Sequence, residues 1–281
     1  MMEYLTLCAG IIERGLILSI VVAAVYVASR LIQFDNLSIE GAFGLGGAVT
    51  ALCMTHNVSP WFALCIGAII GGCSGIATGL LYTQLQLNNL LSGIVVTTGL
   101  FSIILYVAGS NMPLGGKSTI FTHAFVPQIP FITFLILTIF CFLLFSLLAW
   151  FLTTEVGLVL GALGDAPQML TNIGKSKHTY ILIGVFLSNT LAALSGALFV
   201  QYTTYFSIWT GVGVLVIGVA GLILAEAFST EFGIFLIIGS ILYQALIAIT
   251  FEIQLDPVWN KLITALLIVM LVTIKQYLQR E

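Results

Sequence analysis

The chain has 281 residues, 60% hydrophobic and only 7% charged, against about a quarter charged in soluble domains. This excludes a water-soluble globular fold and marks an integral membrane protein. Eight Lys and Arg against eleven Asp and Glu give a formal charge of -3 without a basic block, so no nucleic-acid partner is expected.

A spanning helix takes about 20 apolar residues, so the length holds roughly eight to ten spans and leaves little for a soluble domain. The expectation is an all-α, polytopic transmembrane bundle, with residues 1–281 forming a single permeation domain. In chain order, the first span covers Gly15 to Ile32 and is followed by the polar, glycine-rich passage FDNLSIEGAFGLGG. Ala48 to Thr55 is too short to cross unless it joins that passage. Trp61 to Tyr82 and Leu90 to Ala108 are full spans joined by TQLQLNN. A polar loop, Gly109 to Pro127, precedes the very apolar Ile129 to Leu152. The stretch from Thr153 to His178 is the other long segment unsuited to lipid. Tyr180 to Val200, Gly211 to Ala225, Phe232 to Thr250 and Leu262 to Ile274 complete the set.

Lys and Arg in short loops set orientation. Placing the 155–178 connection in the cytoplasm puts five basic residues inside (Arg30, Lys175, Lys177, Lys275, Arg280) and three outside (Arg14, Lys117, Lys261). The N-terminus is then external and the C-terminus cytoplasmic. The N-terminal sequence lacks the basic region and cleavage site of a secretory signal, and is expected to be retained. Five scattered cysteines without CxxC spacing read as small apolar residues. His56, His123 and His178 have no ligand cluster beside them, so no metal is expected. There is no HExxH, GxSxG or phosphate-loop motif; any ATP belongs to another subunit.

Non-helical backbone at membrane depth is tolerated only where it is buried in protein or lines a cavity, so interrupted helices mark pathways. Asn36, Ser38, Glu40 and Gly41 open a segment with four glycines in seven residues, Gly41 to Gly47, which predicts a discontinuous helix with free amide donors. Glu40 is the leading carboxylate for a substrate group, because an acid at membrane depth costs about 2.5 to 3.5 kcal/mol unless paired or solvated. The other reading makes it a rim residue or a helix cap. Ser92, Thr97, Thr98 and Ser102 form a second candidate lining, or simply allow close helix packing. Asn189 is a third candidate, or interhelical glue. Glu226 and Glu231 are solvated end charges or contacts that hold a cytoplasmic gate.

Taken in order, LIQFDNLSIEGAFGLGGAV, NLLSGIVVTTGLFSI, GDAPQMLTNIGKSK, LSNTLAALSGALFVQ and GVGVLVIGVAGLILAE resemble the permease subunits of bacterial ABC importers in the branched-chain amino acid and ribose class. Within that class the sequence is most similar to the subset predicted to carry tryptophan or tyrosine. The resemblance implies a coupling helix in the cytoplasmic 155–178 connection, docked on an ATPase, with Gly164, Asp165, Pro167, Gly174 and Lys175 at the matching positions. Asp165 there caps a helix starting at Pro167; without the resemblance the segment reads as an interfacial helix. The chain departs from the family pattern at Ala166, where members often have Asn, and in lacking an Arg between Thr153 and Asp165. Docking then relies more on shape and on Lys175 or Lys177.

The resemblance further implies two ATPase subunits that carry ATP and Mg, a periplasmic or lipid-anchored substrate-binding protein, a second permease copy, most simply a homodimer, and location in the bacterial inner membrane. No cofactor is expected on this chain. Asn111, Leu114 and Lys117 in the Ser110 to Gln128 loop offer a docking surface for the binding protein. The expected function is import of an amino acid or similar small solute by alternating access. A sugar or nucleoside importer is the alternative, then a secondary transporter. An intramembrane enzyme or scaffold comes from a different class; Glu40, Asp165 and Glu226 are too dispersed for a catalytic set.

Overall fold

In the computed structural model the described residues are 2–122, 132–165, 174–229 and 232–252, with isolated positions between 262 and 273. The helices are α1 (Met2–Tyr26), continued by a π-helical turn at Val27–Leu31, α2 (Ser38–Thr55), α3 (Pro60–Thr83), α4 (Asn89–Ala108) and α5 (Ile132–Thr153). They are followed by α6 (Glu155–Asp165), α7 (Lys177–Thr203), the single turn α8 (Ile208–Gly211), α9 (Val214–Glu226) and α10 (Ile234–Glu252). Among the described residues, seven helices are long and apolar enough to cross a membrane. The chain is a polytopic membrane helical bundle. The expected last span, Leu262 to Ile274, falls largely outside the described residues, as do Pro167, His123 and Glu231.

α7 is the axis of the packing. Its small face carries Ser188, Ala192, Ala193, Ser195, Gly196 and Ala197, all buried. Small residues let helix backbones approach closely where lipid removes the hydrophobic drive between helices. α1 runs antiparallel to α7, with the Ser188 hydroxyl donating to the Ala24 carbonyl at 2.9 Å and Ser195 to Ile17 at 2.8 Å. α3 is antiparallel as well: Gln201 near one end of α7 donates to the Pro60 carbonyl at 3.0 Å, and Gly79 lies on Leu182 near the other. α2 runs parallel to α7, from Ser38 beside Asn189 to Gly47 beside Val200.

The expected break in the glycine run is not there. α2 is one continuous helix from Ser38 to Thr55, buried through Gly41, Gly44, Gly46 and Gly47. Helix propensity disfavours this sequence, but in lipid a helix satisfies its own amides, and the glycines admit neighbours on opposite sides. A Cβ on Gly46 would lie 2.2 Å from the Ala193 carbonyl oxygen, and one on Gly41 2.8 Å from a Leu100 methyl. Ala48 to Thr55 therefore does join the passage before it.

The interruption falls earlier. The π-helical turn ends with Ile32 N–H donating to Val27 O, and Phe34 N–H then reaches Ala28 O at 2.8 Å. Gln33 has φ +47°, and the chain is non-helical up to α2. A second interruption separates α8 from α9 at Val212 and Gly213, where Gly213 has φ +90°.

At the end of the bundle opposite Arg30, residues Asn111–Pro113 (β1) and Tyr205–Ser207 (β2) pair antiparallel, with Met112 opposite Phe206. The Gln201 amide oxygen accepts from Ile120 N–H at 3.1 Å. Leu114, expected on an exposed docking loop, is instead buried at 1% exposure in a cluster with Phe206 and Ile208.

Candidate translocation path

Asn189 is twelve residues from the start of α7 and fourteen from its end, Lys177 to Thr203, which places it at the middle of a spanning helix. Around it Asn36, Ser38, Ser74, Thr78 and Ser188 are all buried. The Asn36 amide donates to Asn189 Oδ1 at 2.8 Å, and the Asn189 amide donates to Ser38 Oγ and Ser74 Oγ, each at 2.9 Å. Ser38 Oγ donates to Asn36 Oδ1 at 2.6 Å, and Thr78 Oγ1 lies 2.9 Å from Ser38 Oγ. Asn36 Oδ1 also accepts the Ser38 backbone N–H at 3.1 Å. That bond matters because the first amides of α2 have no helical acceptor of their own. Asn36, Ser38 and Asn189, singled out in the sequence as path residues, are thus gathered into one buried network that joins α2, α3 and α7.

Glu40 and Gly41 face the other way. Leu37, Glu40, Gly41 and Gly44 recur at helical spacing, so they share a stripe of α2 distinct from Ser38, Ala42 and Gly46. With Thr97, Phe101 and Ile104 of α4 and with Ile208, Gly211 and Val212, three of these residues line a small open cleft of about 40 Å³. Glu40 lies in the first turn of α2, two residues beyond Ser38. A second cavity, about 260 Å³, lies toward the Arg30 end and is lined by Ser29, Asp35, Asn36, Leu37, Leu90 and Leu215, among others. Between the two, Thr97 Oγ1 donates to the Leu37 carbonyl at 3.0 Å.

The α4 hydroxyls do not act as one set. Thr97 lines the cleft, Thr98 is exposed and bonds back to the Ile94 carbonyl at 2.8 Å, and Ser92 is buried with its hydroxyl on the Asn88 carbonyl at 2.9 Å. Sequence reading missed Ser74 and Thr78, four residues apart in α3, and Phe101, four residues after Thr97. That spacing was the available signal.

At the Arg30 end, the guanidinium makes two bonds to the Glu226 carboxylate, one of them Nη2 to Oε2 at 2.7 Å. Glu226 is nearly buried there, its side chain 4% exposed. The 155–178 connection contains α6, with Gly164 buried against the carbonyls of Leu31 and Arg30 and Asp165 as its last residue. The cap at Pro167 lies outside the described residues. Gly174 takes φ +76°, a conformation glycine reaches without steric cost. Lys175 pairs with Glu155. That hydrogen bond and the lysine charge hold the Glu155 carboxyl below its ordinary range, and the same bond raises Lys175.

The sequence matches the family described as branched-chain amino acid transport system, permease component, over residues 7–272. The chain belongs to this family. The permease is 32% identical to a tyrosine transport system permease protein of Clostridioides difficile, across 92% of this chain and 88% of that protein. More distant are the nucleoside ABC transporter permease NupC of Lactococcus lactis, 25% identical over 68% of this chain and 66% of the relative, and the D-allose transport system permease AlsC of Escherichia coli, 28% identical over 59% and 51%. No solved structure matches it. Its family is one of membrane transport subunits of ABC transporters, not of enzymes, and such permeases work with ATPase and substrate-binding partners.

Proposed function

We propose that this permease imports an amino acid, with an aromatic one foremost, across the bacterial inner membrane by ATP-driven alternating access. The observation that carries the reading is Glu40 among the residues that line the cleft between α2 and α4, together with Phe101. A carboxylate there suits a substrate ammonium, and an aromatic wall suits an apolar ring. Similarity along nearly the whole chain to a tyrosine permease supports it.

In this mechanism the two cavities are successive halves of the route, and the Thr97 to Leu37 bond lies at the constriction between them. Gly41 and Thr97 form the wall on the α2 and α4 sides. Asn36, Ser38 and Asn189 position α2 from behind, and Ser92 and Thr98 serve α4. Two ATPase subunits hydrolyse ATP and carry Mg, and the segment with Gly164, Asp165, Pro167, Gly174 and Lys175 transmits their closure. A second copy of the chain completes the route, and a periplasmic or lipid-anchored protein delivers the substrate. The Arg30 end faces the cytoplasm: it carries Arg30, Lys175 and Lys177, against Arg14 and Lys117 at the other. The C-terminus is assigned to the same side by Lys275 and Arg280.

The test is ATPase activity of the reconstituted complex with binding protein, titrated with amino acids, nucleosides and sugars. Stimulation by tyrosine or tryptophan supports the proposal. Stimulation by a nucleoside or sugar alone, the reading favoured by the more distant relatives, overturns the substrate class, and failure to associate with any ATPase overturns the coupling.

A further inference from the structure

A third cavity, about 380 Å³, opens where α3 ends and α7 begins and shares no lining residue with either half of the proposed route. Lys177, His178, Gln86 and Asn88 line it on its polar side, with Leu87 and Ile181 as apolar walls. No carboxylate is among its lining residues. This contrasts with the rest of the same end, where Arg30 faces Glu226 and Lys175 faces Glu155. Among the described residues Lys177 has no ion pair. Asn88 uses its amide oxygen on the Leu91 N–H at 2.7 Å, which leaves its amide nitrogen to donate. The α7 amides that begin at Lys177 have no side-chain cap from Ser176, which adds positive potential to a cavity already lined by basic groups.

The depth is informative too. Thr83 ends one spanning helix and Lys177 begins another, so the cavity lies in the layer where lipid phosphates sit. Beside it Leu85 is 64% exposed and suits contact with acyl chains. We propose that this cavity binds a phosphate-bearing anion, with Lys177 as its cationic ligand and His178, Gln86 and Asn88 as further hydrogen-bond donors. Two sources carry that group here, the headgroup of an anionic phospholipid and free phosphate. Basic pockets between spanning helices are suited to the first, and the exposed leucine favours it.

The experiment is native mass spectrometry of the full-length chain released from neutral detergent. It is titrated with phosphatidylglycerol, with phosphatidylcholine as the zwitterionic lipid, and separately with inorganic phosphate. The wild type should retain phosphatidylglycerol over phosphatidylcholine, and the variant Lys177→Gln with His178→Asn should lose that preference by about fivefold or more. Lys175→Gln, which removes a basic charge at the same end outside the cavity, should leave it unchanged. Retention of phosphatidylglycerol identifies the lipid source; retention of inorganic phosphate, displaced by the same double variant, identifies the soluble one. An equal loss in Lys175→Gln, or no preference for either phosphate in the wild type, overturns the site. An unchanged melting temperature of the double variant shows that a loss is not misfolding.

Discussion

Gly196 of α7 lies so close to Phe43 of α2 that a Cβ on the glycine would sit 2.0 Å from the Phe43 carbonyl oxygen. Gly46 approaches Ala193 from the other helix at almost the same separation. The two helices therefore meet backbone to backbone, and the contact seats both the buried network and the opposite stripe that carries Glu40. Gly196→Val should force the helices apart and lower stability by about 1–3 kcal/mol or more, as overpacking does. Thermal unfolding in detergent checks this. Gly99→Ala, at a glycine with open space around it, should leave the melting temperature unchanged.

Asn189 bonds to Asn36, Ser38 and Ser74 at once. Asn189→Leu leaves these buried groups short of partners, each at a cost of about 1–3 kcal/mol in water-soluble proteins and about 0.6–2 kcal/mol between membrane helices. The expected result is a less stable protein by equilibrium unfolding in mixed micelles. Lost transport with unchanged stability would instead place Asn189 on the route and refute a positioning role.

Glu40→Gln keeps size and hydrogen bonding but removes the charge. If the carboxylate holds a substrate ammonium, the loss of a charge-assisted contact costs about 1.5–3 kcal/mol, or about tenfold to a hundredfold in apparent affinity. Uptake by proteoliposomes should fall by that factor for a zwitterionic amino acid, with assembly intact. Equal uptake by the variant removes Glu40 from the site.

The bundle was legible because 60% apolar composition and long uncharged runs have one physical outcome in lipid. The glycine run misled for a definable reason. Propensity measures a helix in water, whereas a Cβ on Gly41, Gly46 or Gly47 would lie 3.0 Å or less from a neighbouring helix, and long-range contact leaves no local mark. Asn36 and Glu40 were conspicuous in the sequence, but their division between a buried network and a cleft depends on which stripe of α2 each occupies. Had the segment been read as a continuous helix, the spacing of 37, 40, 41 and 44 against 38, 42 and 46 would have separated them. The partner of Glu226 is 196 residues away at Arg30, and no spacing rule reaches that far.

The Arg30 to Glu226 pair ties the π-helical end of α1 to the end of α9. Its arginine is half exposed while its carboxylate is nearly buried, so most of the cost of breaking it falls on the glutamate. A double-mutant cycle with Arg30→Gln and Glu226→Gln should give a coupling energy of about 0.5–3 kcal/mol, read from unfolding in detergent. Purely additive effects would show that the contact does no more than its two halves.

The pair of Glu155 and Lys175 makes a titration prediction. Because Lys175 holds the Glu155 carboxyl below its ordinary value, the folded chain binds that proton less readily than the unfolded one. The contribution is therefore present above the unfolded carboxylate value and fades as pH falls through the lowered folded one. Glu155 is freely exposed, so water screens the effect and the sensitive readout is local. Lys175→Met removes the hydrogen bond and charge that hold the carboxyl down and should raise the Glu155 titration midpoint toward the ordinary glutamate value. A carboxyl-selective NMR titration, comparing wild type with Lys175→Met and Lys177→Met, measures it. Only the Lys175 variant should move the midpoint, since Lys177 makes no ion pair among the described residues; equal movement in both would mean that Glu155 senses the general potential of this end and not one neighbour.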